Sequence, residues 1–370
     1  MKYRSRTAKS ISFIIIMLLL AAGLPAAENI FTPAALQAES TQNVEDMVGR
    51  SLEIPEEPER IVALGAGMMR KVAYFQAVDR VVGVEDAESD PDDFSRPYQL
   101  ANSRLLDLPV IGPQHGGDAE LIAGVEPDII LFYGDAGEAE NLSARLEAPV
   151  AVFEFGDIYN ERDTLLSSLE LLGEILNEEE RAEELMNFIE ETIADLKDRS
   201  RNIETDSKAY AGGMSYRGSH GITSIRTPFP PFEFIGIEDV TSPHFDYDTM
   251  THVDISGELL LHQDPDYIFL DGANLPLVRS DLERRTEYQH LTALREDRVY
   301  RLLPYASYHV NFASVLANSY FIGSVMAPEA FDDIEPARRA DEIYEKMLGE
   351  KVYEELAEEF GELEGLELDD

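Results

Sequence analysis

The 370-residue chain contains no cysteine. That absence excludes structural disulfides, cysteine-based zinc or iron–sulfur sites, a thiol nucleophile and a lipid-modified cysteine among these residues. Positive charge is scarce: 30 Lys and Arg stand against 73 Asp and Glu, a net charge of −43, and only seven of the bases are lysine. Bare nucleic acid or an anionic membrane surface would be repelled by such a chain. Long hydrophobic runs are also missing. The conspicuous one, Ile11 to Leu24 with Ser12 and Gly23 inside it, falls short of the about 20 residues of a membrane-spanning helix. Several catalytic signatures are incomplete. Gly65-Ala66-Gly67 lacks the third glycine of a dinucleotide fingerprint, because position 70 is arginine. No Gly-x-Ser-x-Gly surrounds Ser215 or Ser219, and no second histidine follows His220 at metalloprotease spacing.

What remains is a globular chain with 44% hydrophobic residues, long enough for two domains with cores of their own. The acids are spread along the whole sequence, as on a solvated surface. Self-repulsion at this charge destabilises a compact state and is relieved by salt, so the composition reads as adaptation to a salty environment. Lys2, Arg4, Arg6 and Lys9 precede the apolar run and small residues follow it, the pattern of a secretory signal. Cleavage after Ala26 or Ala27 and cleavage after Ala38 are both compatible with it, and retention as an anchor is the alternative. Removal of residues 1–38 leaves 72 acids against 26 bases, a net charge of −46. The expected destination is the periplasm.

From Arg60 onward the pattern is α/β. Arg60 to Leu64 is a strand run, Gly65-Ala66-Gly67 a turn, Met68 to Val78 a helix and Arg80 to Val84 a second strand, together a βαβ unit of a parallel sheet. Leu108 to Gly112, Asp128 to Phe132 and Val150 to Phe153 read as further strands, with helices at Ala119–Ala123 and Ala136–Leu146. Residues 161 to 201 contain no proline and repeat apolar positions every three or four residues, an amphipathic helix with a break near Asn177. Its second part, Glu178 to Arg201, would span about 35 Å. A second α/β half restarts at Lys208–Ala211, with strands at Tyr267–Leu270 and Val299–Leu302 and helices at Ser314–Val325 and Ala337–Leu348. The last seventeen residues carry nine acids and are expected to fray. The expected architecture is therefore α/β: two Rossmann-like lobes with parallel sheets, joined by one long helix, with a ligand cleft between them. The boundaries are 1–38 (signal and processed segment), 39–160 (first lobe), 161–203 (connector), 204–350 (second lobe) and 351–370 (acidic tail).

Ligands of open α/β sheets lie beyond the carboxyl ends of the strands. The loops there hold Met68, Met69 and Arg70; Gln114 and His115; Tyr133; Tyr216, Arg217 and His220; and Tyr305, Tyr308, His309 and Asn311. Arginine and aromatic residues concentrated in an otherwise acidic chain suit a large, flat or anionic guest. A site of His220, His309 and a carboxylate would take a bare metal ion. A secreted α/β enzyme using the same cleft is the alternative from another class.

Pro58 to Leu64, Asp79 to Val84, Leu108 to Gly112 and Glu126 to Ile130, in that order, resemble the periplasmic binding proteins of ABC importers for iron–siderophore, haem and cobalamin. So do Gly212-Gly213-Met214-Ser215-Tyr216-Arg217-Gly218-Ser219-His220-Gly221, Pro230-Pro231-Phe232, Leu303-Pro304-Tyr305 and Leu316 to Gly323. The resemblance spans about residues 55 to 350. It implies a non-catalytic, monomeric receptor without an intrinsic cofactor, carrying a metal chelate to a permease and its ATPase in the inner membrane. Arg70 and Arg217 would neutralise the cargo, Tyr133, Tyr216, Tyr305 and Tyr308 would pack on it, and His220 or His309 would ligate its metal. Many members dock on permease arginines through a glutamate in the first helix. Arg70 stands at that position here.

Overall fold

A computed structural model describes residues 40–201, 207–216, 218, 220–245 and 251–366. Strands with both faces covered organise it. In order, β1 (Thr41–Glu45) and β2 (Ser51–Pro55) form an antiparallel hairpin, and β3 (Ile61–Leu64) leads through two glycines into α1 (Met68–Tyr74). Then come β4 (Val81–Gly83), α2 (Pro97–Leu100), α3 (Ala119–Gly124), β5 (Ile129–Tyr133), α4 (Ala136–Leu146) and β6 (Val150–Phe153). The four strands β4-β3-β5-β6 make one parallel sheet, with Ile61 opposite Ile129. Alternate residues serve opposite faces: Ile61, Ala63, Ile129 and Leu131 join one apolar cluster, while Val62, Leu64, Ile130 and Phe132 join another. This period of two is the pleat itself. Leu108 to Gly112, expected as a strand, contributes only the bridge of Val110 to Val84.

Helices α5 (Arg162–Leu176) and α6 (Glu179–Ser200) lead out of this half. Asn177 ends α5 with φ 57° and ψ 44°, a left-handed turn that asparagine tolerates better than most residues. The chain then folds back, and Gly173 lets the helices meet, since a Cβ there would stand 2.7 Å from Ala182 Cβ.

The second half runs through β7 (Ala209–Gly212), β8 (Ser224–Thr227), α7 (Pro230–Ile235), β9 (Thr251–Asp254), α8 (Gly257–Gln263), β10 (Tyr267–Asp271), α9 (Leu275–Arg284), α10 (Thr292–Arg295) and β11 (Val299–Leu302). It closes with α11 (Phe312–Met326), α12 (Pro336–Leu348) and α13 (Tyr353–Phe360). β11-β10-β7 form a second parallel sheet, and β8 pairs with β9 antiparallel. One apolar cluster runs from Val44 through α5, α6 and α11 to Leu356, so the halves share a core. The acidic end differs from the fraying expected of it. α13 is followed by a bridge of Gly365 to Tyr300, and Leu363 and Leu366 are buried. Two apolar residues in an acidic stretch suffice to anchor it, while the carboxylates stay in water.

Candidate functional site

The order β4-β3-β5-β6 reverses direction at the β3/β5 boundary, the place where open sheets form a crevice. The loop after β3 carries Gly65 and Gly67, at φ 92° and 84°. A Cβ on Gly67 would stand 2.9 Å from the His309 side chain. Glycine here permits both the left-handed turn and the approach of the loop 303–311 from the second half.

That loop is held by buried polar groups of the first half. Arg70 is only 2% exposed. Its Nη2 donates to Ser307 O at 2.9 Å, His309 O at 3.2 Å and Asn311 Oδ1 at 2.9 Å, and its guanidinium lies over the Tyr98 ring. Asn311 in turn donates to Ser95 O and Pro304 O. Tyr308 donates to the buried Glu85 carboxylate at 2.8 Å and accepts from the exposed His115 N–H at 2.9 Å. Glu85 also accepts from Gly65 and Gly116 N–H, and burial raises its pKa despite these bonds. Ser307 bridges Arg96 and Asp93. Arg70 therefore tethers one half to the other. So buried a residue has no surface to offer a permease.

Beside the tether lies an aromatic shelf. Phe155, 48% exposed, stacks on the half-buried His309 with centroids 5.4 Å apart and planes at 9°, and meets Tyr133 at 4.6 Å. Beneath it, Lys71 is buried, with Nζ over the Tyr133 ring and bonded to Ser168 Oγ. Burial, then the charges of Arg70, Lys71 and Arg226, push the His309 imidazole down to about 3, so it is neutral at ordinary pH. Met68 and Met69 are core residues, and Tyr305 is buried against Phe229 with Arg226 near its ring.

A second cluster lies beyond the carboxyl end of β7. Tyr216 stacks on His252 at 4.6 Å and 10°, and His252 lies 4.9 Å from His220. His220 Nδ1 is 3.9 Å from Asp254 Oδ1. Among the described residues, the group able to hold a metal is His220, His252 and Asp254, with one donor atom from each inside 4.8 Å. His220 is thus completed by residues of β9 rather than by His309. Arg226, opposite His252 in the β8–β9 pairing, exerts its charge on both His252 and His309. Arg217 lies outside the described residues.

Phe155, Arg226, His252, Asp254 and Lys71 were not singled out from sequence. Phe155 follows β6, and the strand-end rule extended to that strand points to it. Nothing local marks the other four.

Two parallel α/β sheets with aromatic and cationic side chains beyond their strand ends form the arrangement in which open α/β proteins hold a ligand. Residues 61–306 match the periplasmic binding protein family model, and the chain belongs to that family. Its members are extracytoplasmic, non-enzymatic solute-binding proteins that serve ABC importers. The chain is 19% identical over 264 residues to the uncharacterized ABC transporter substrate-binding lipoprotein YvrC of Bacillus subtilis, covering 70% of this chain and 78% of that one. Among solved structures it is similar to the Haemophilus influenzae molybdate-binding protein MolA (TM-score 0.65, 16% identity, 84% of this chain and 98% of that one). It is also similar to Helicobacter pylori CeuE with Ni(II) bound (TM-score 0.60, 19% identity, 83% and 95%). No described helix is long and apolar enough to cross a membrane.

Proposed function

We propose that the protein captures a metal chelate and delivers it to an ABC permease. The observation that carries this reading is the exposed Phe155 stacked on neutral His309, flanked by Tyr133, with Arg226 linking this shelf electrostatically to the His220–His252 cluster. Apolar aromatic area fits an organic chelator, and arginine in a chain of net charge −43 fits its anionic groups. The cargo-facing residues in this reading are Tyr133, Phe155, His309, Arg226, Tyr216 and His220, with Arg217 added from sequence. Arg70, Tyr308 and Asn311 set the position of the 303–311 loop. The apolar run from Ile11 to Leu24 acts as the export signal, and the receptor works as a monomer. A free divalent ion is the second reading, favoured by the His220–His252–Asp254 grouping.

Equilibrium dialysis with metal analysis tests this, using haemin, cobalamin and a ferric catecholate against bare ferric and nickel ions. Retention of at least one of the chelates together with its metal is the expected result. Retention of bare ion alone overturns the chelate reading, and chemical turnover of any of these compounds overturns both.

A further inference from the structure

We propose that His220, His252 and Asp254 form a site for a divalent first-row transition metal ion beside the β8–β9 pair. The proposal deepens the chelate reading, on which it rests for the ion's role in the cargo; binding of the ion itself is independent of that reading.

His220 Nε2 lies 2.6 Å from Tyr216 O. A carbonyl only accepts, so this nitrogen carries the proton and Nδ1 keeps its lone pair. That Nδ1 faces Asp254 Oδ1 across 3.9 Å. For His252, Nε2 lies 2.8 Å from Ser224 Oγ, and Ser224 gives its only proton to Met214 O at 2.6 Å. The hydroxyl therefore accepts from His252, whose Nδ1 lone pair is also left free. Two imidazoles thus have their protonated nitrogens anchored by fixed acceptors, the outer-shell arrangement that orients histidine ligands at metal centres.

Geometry follows. With metal–nitrogen and metal–oxygen bonds of about 2.1 Å, tetrahedral ligand atoms lie about 3.4 Å apart. One donor atom of each residue falls within 4.8 Å of the others, so closure requires a shift of about 1 Å or more, shared between the exposed Asp254 side chain and a turn of the His220 ring. His252 is the fixed part, set by β-pairing and by stacking on Tyr216. Two imidazoles and one carboxylate suit zinc, nickel, cobalt or copper over magnesium or calcium. Three protein ligands leave positions open for donors of a chelator.

The test is titration of the whole chain with Ni²⁺ in molar sodium chloride and excess Mg²⁺, which occupies exposed carboxylates. One Ni²⁺ per chain is expected. His220→Ala, His252→Ala and Asp254→Asn should each weaken it about tenfold or more, and Ser224→Ala, which unseats the His252 proton, about tenfold. Asp92→Asn, in an exposed loop of the first half, should leave it unchanged. Should His252→Ala not fold, the visible spectrum of the unaltered chain with Co²⁺ reports nitrogen ligation directly. Displacement of Ni²⁺ by Mg²⁺, affinity indifferent to His220 and His252, or a Co²⁺ spectrum of oxygen ligands only would each overturn the site. Chelates retained without bare Ni²⁺ binding would remove this site and leave the chelate reading standing. Ni²⁺ bound at these residues without retention of any chelate would do the reverse.

Discussion

Replacing Lys71 by methionine isolates the cost of one buried charge. Methionine keeps much of the stem's apolar volume and cannot titrate. Burial, then the adjacent Arg70 charge, lower the Lys71 amine from 10.5 to about 7. At about 1.4 kcal/mol per pKa unit, that gap corresponds to about 5 kcal/mol between the two protonation states. The folded pKa lies below the unfolded one, so the unfolded chain binds the extra proton between pH 7 and 10.5. The penalty is absent above 10.5, grows as pH falls, and is complete below about 7. The Ser168 hydroxyl, which gives its proton to Leu165 O, accepts from Lys71 and offsets part of it. Those contacts change the absolute stability of the variant, but the pH trend belongs to the titration. Urea melts of both proteins at constant molar salt should show the variant's advantage shrinking by about 3 kcal/mol between about pH 7 and pH 9.5. All other titrating groups are common to the two chains and cancel. A stability difference that stays flat over this range would refute the assignment of Lys71 as a buried, charge-carrying amine.

Arg70→Met removes three hydrogen bonds into the 303–311 loop and should cost about 3 kcal/mol. Hydrogen exchange should quicken most at residues 305–311, and uniform loss of protection would count against a local tether. Gly67→Ala forces a side chain into a left-handed turn and against His309, for a loss of about 1–3 kcal/mol by chemical denaturation; an unchanged midpoint would contradict this close approach. With a net charge of −43, the melting temperature should rise markedly between about 0.1 and 1 M sodium chloride, as the Debye length falls from about 10 to 3 Å. A salt-independent melting point would remove the halophilic reading of the composition. The shared core and the Arg70 tether restrict closure, so X-ray scattering with and without haemin should give nearly equal radii of gyration. A large contraction on binding would show that the halves part in the free protein.

Local chemistry was enough to write much of the fold. Val150–Phe153, Val299–Leu302 and Ala136–Leu146 form over the residues where β-branched runs and helical spacing place them. The break between α5 and α6 falls at the asparagine that a left-handed turn favours. Such signals are carried within a few residues, because strand pleat and helix pitch repeat over that distance. The loops at the strand ends likewise hold Tyr133, Tyr216, His220 and His309 of the candidate site.

Partnership across the chain was decided by tertiary structure alone. Arg70 could not be read as an internal tether, because its acceptors at Ser307, His309 and Asn311 lie more than 230 residues away. Lys71 sits next to it and looks equally exposed in sequence, yet its amine is packed under Tyr133. His220 meets His252 and Asp254 only because β8 and β9, two four-residue strands with no periodicity long enough to detect, pair and carry them there. A strand four residues long declares neither its partner nor its register. Those depend on which apolar faces the rest of the chain leaves to be covered, and only the folded core settles that.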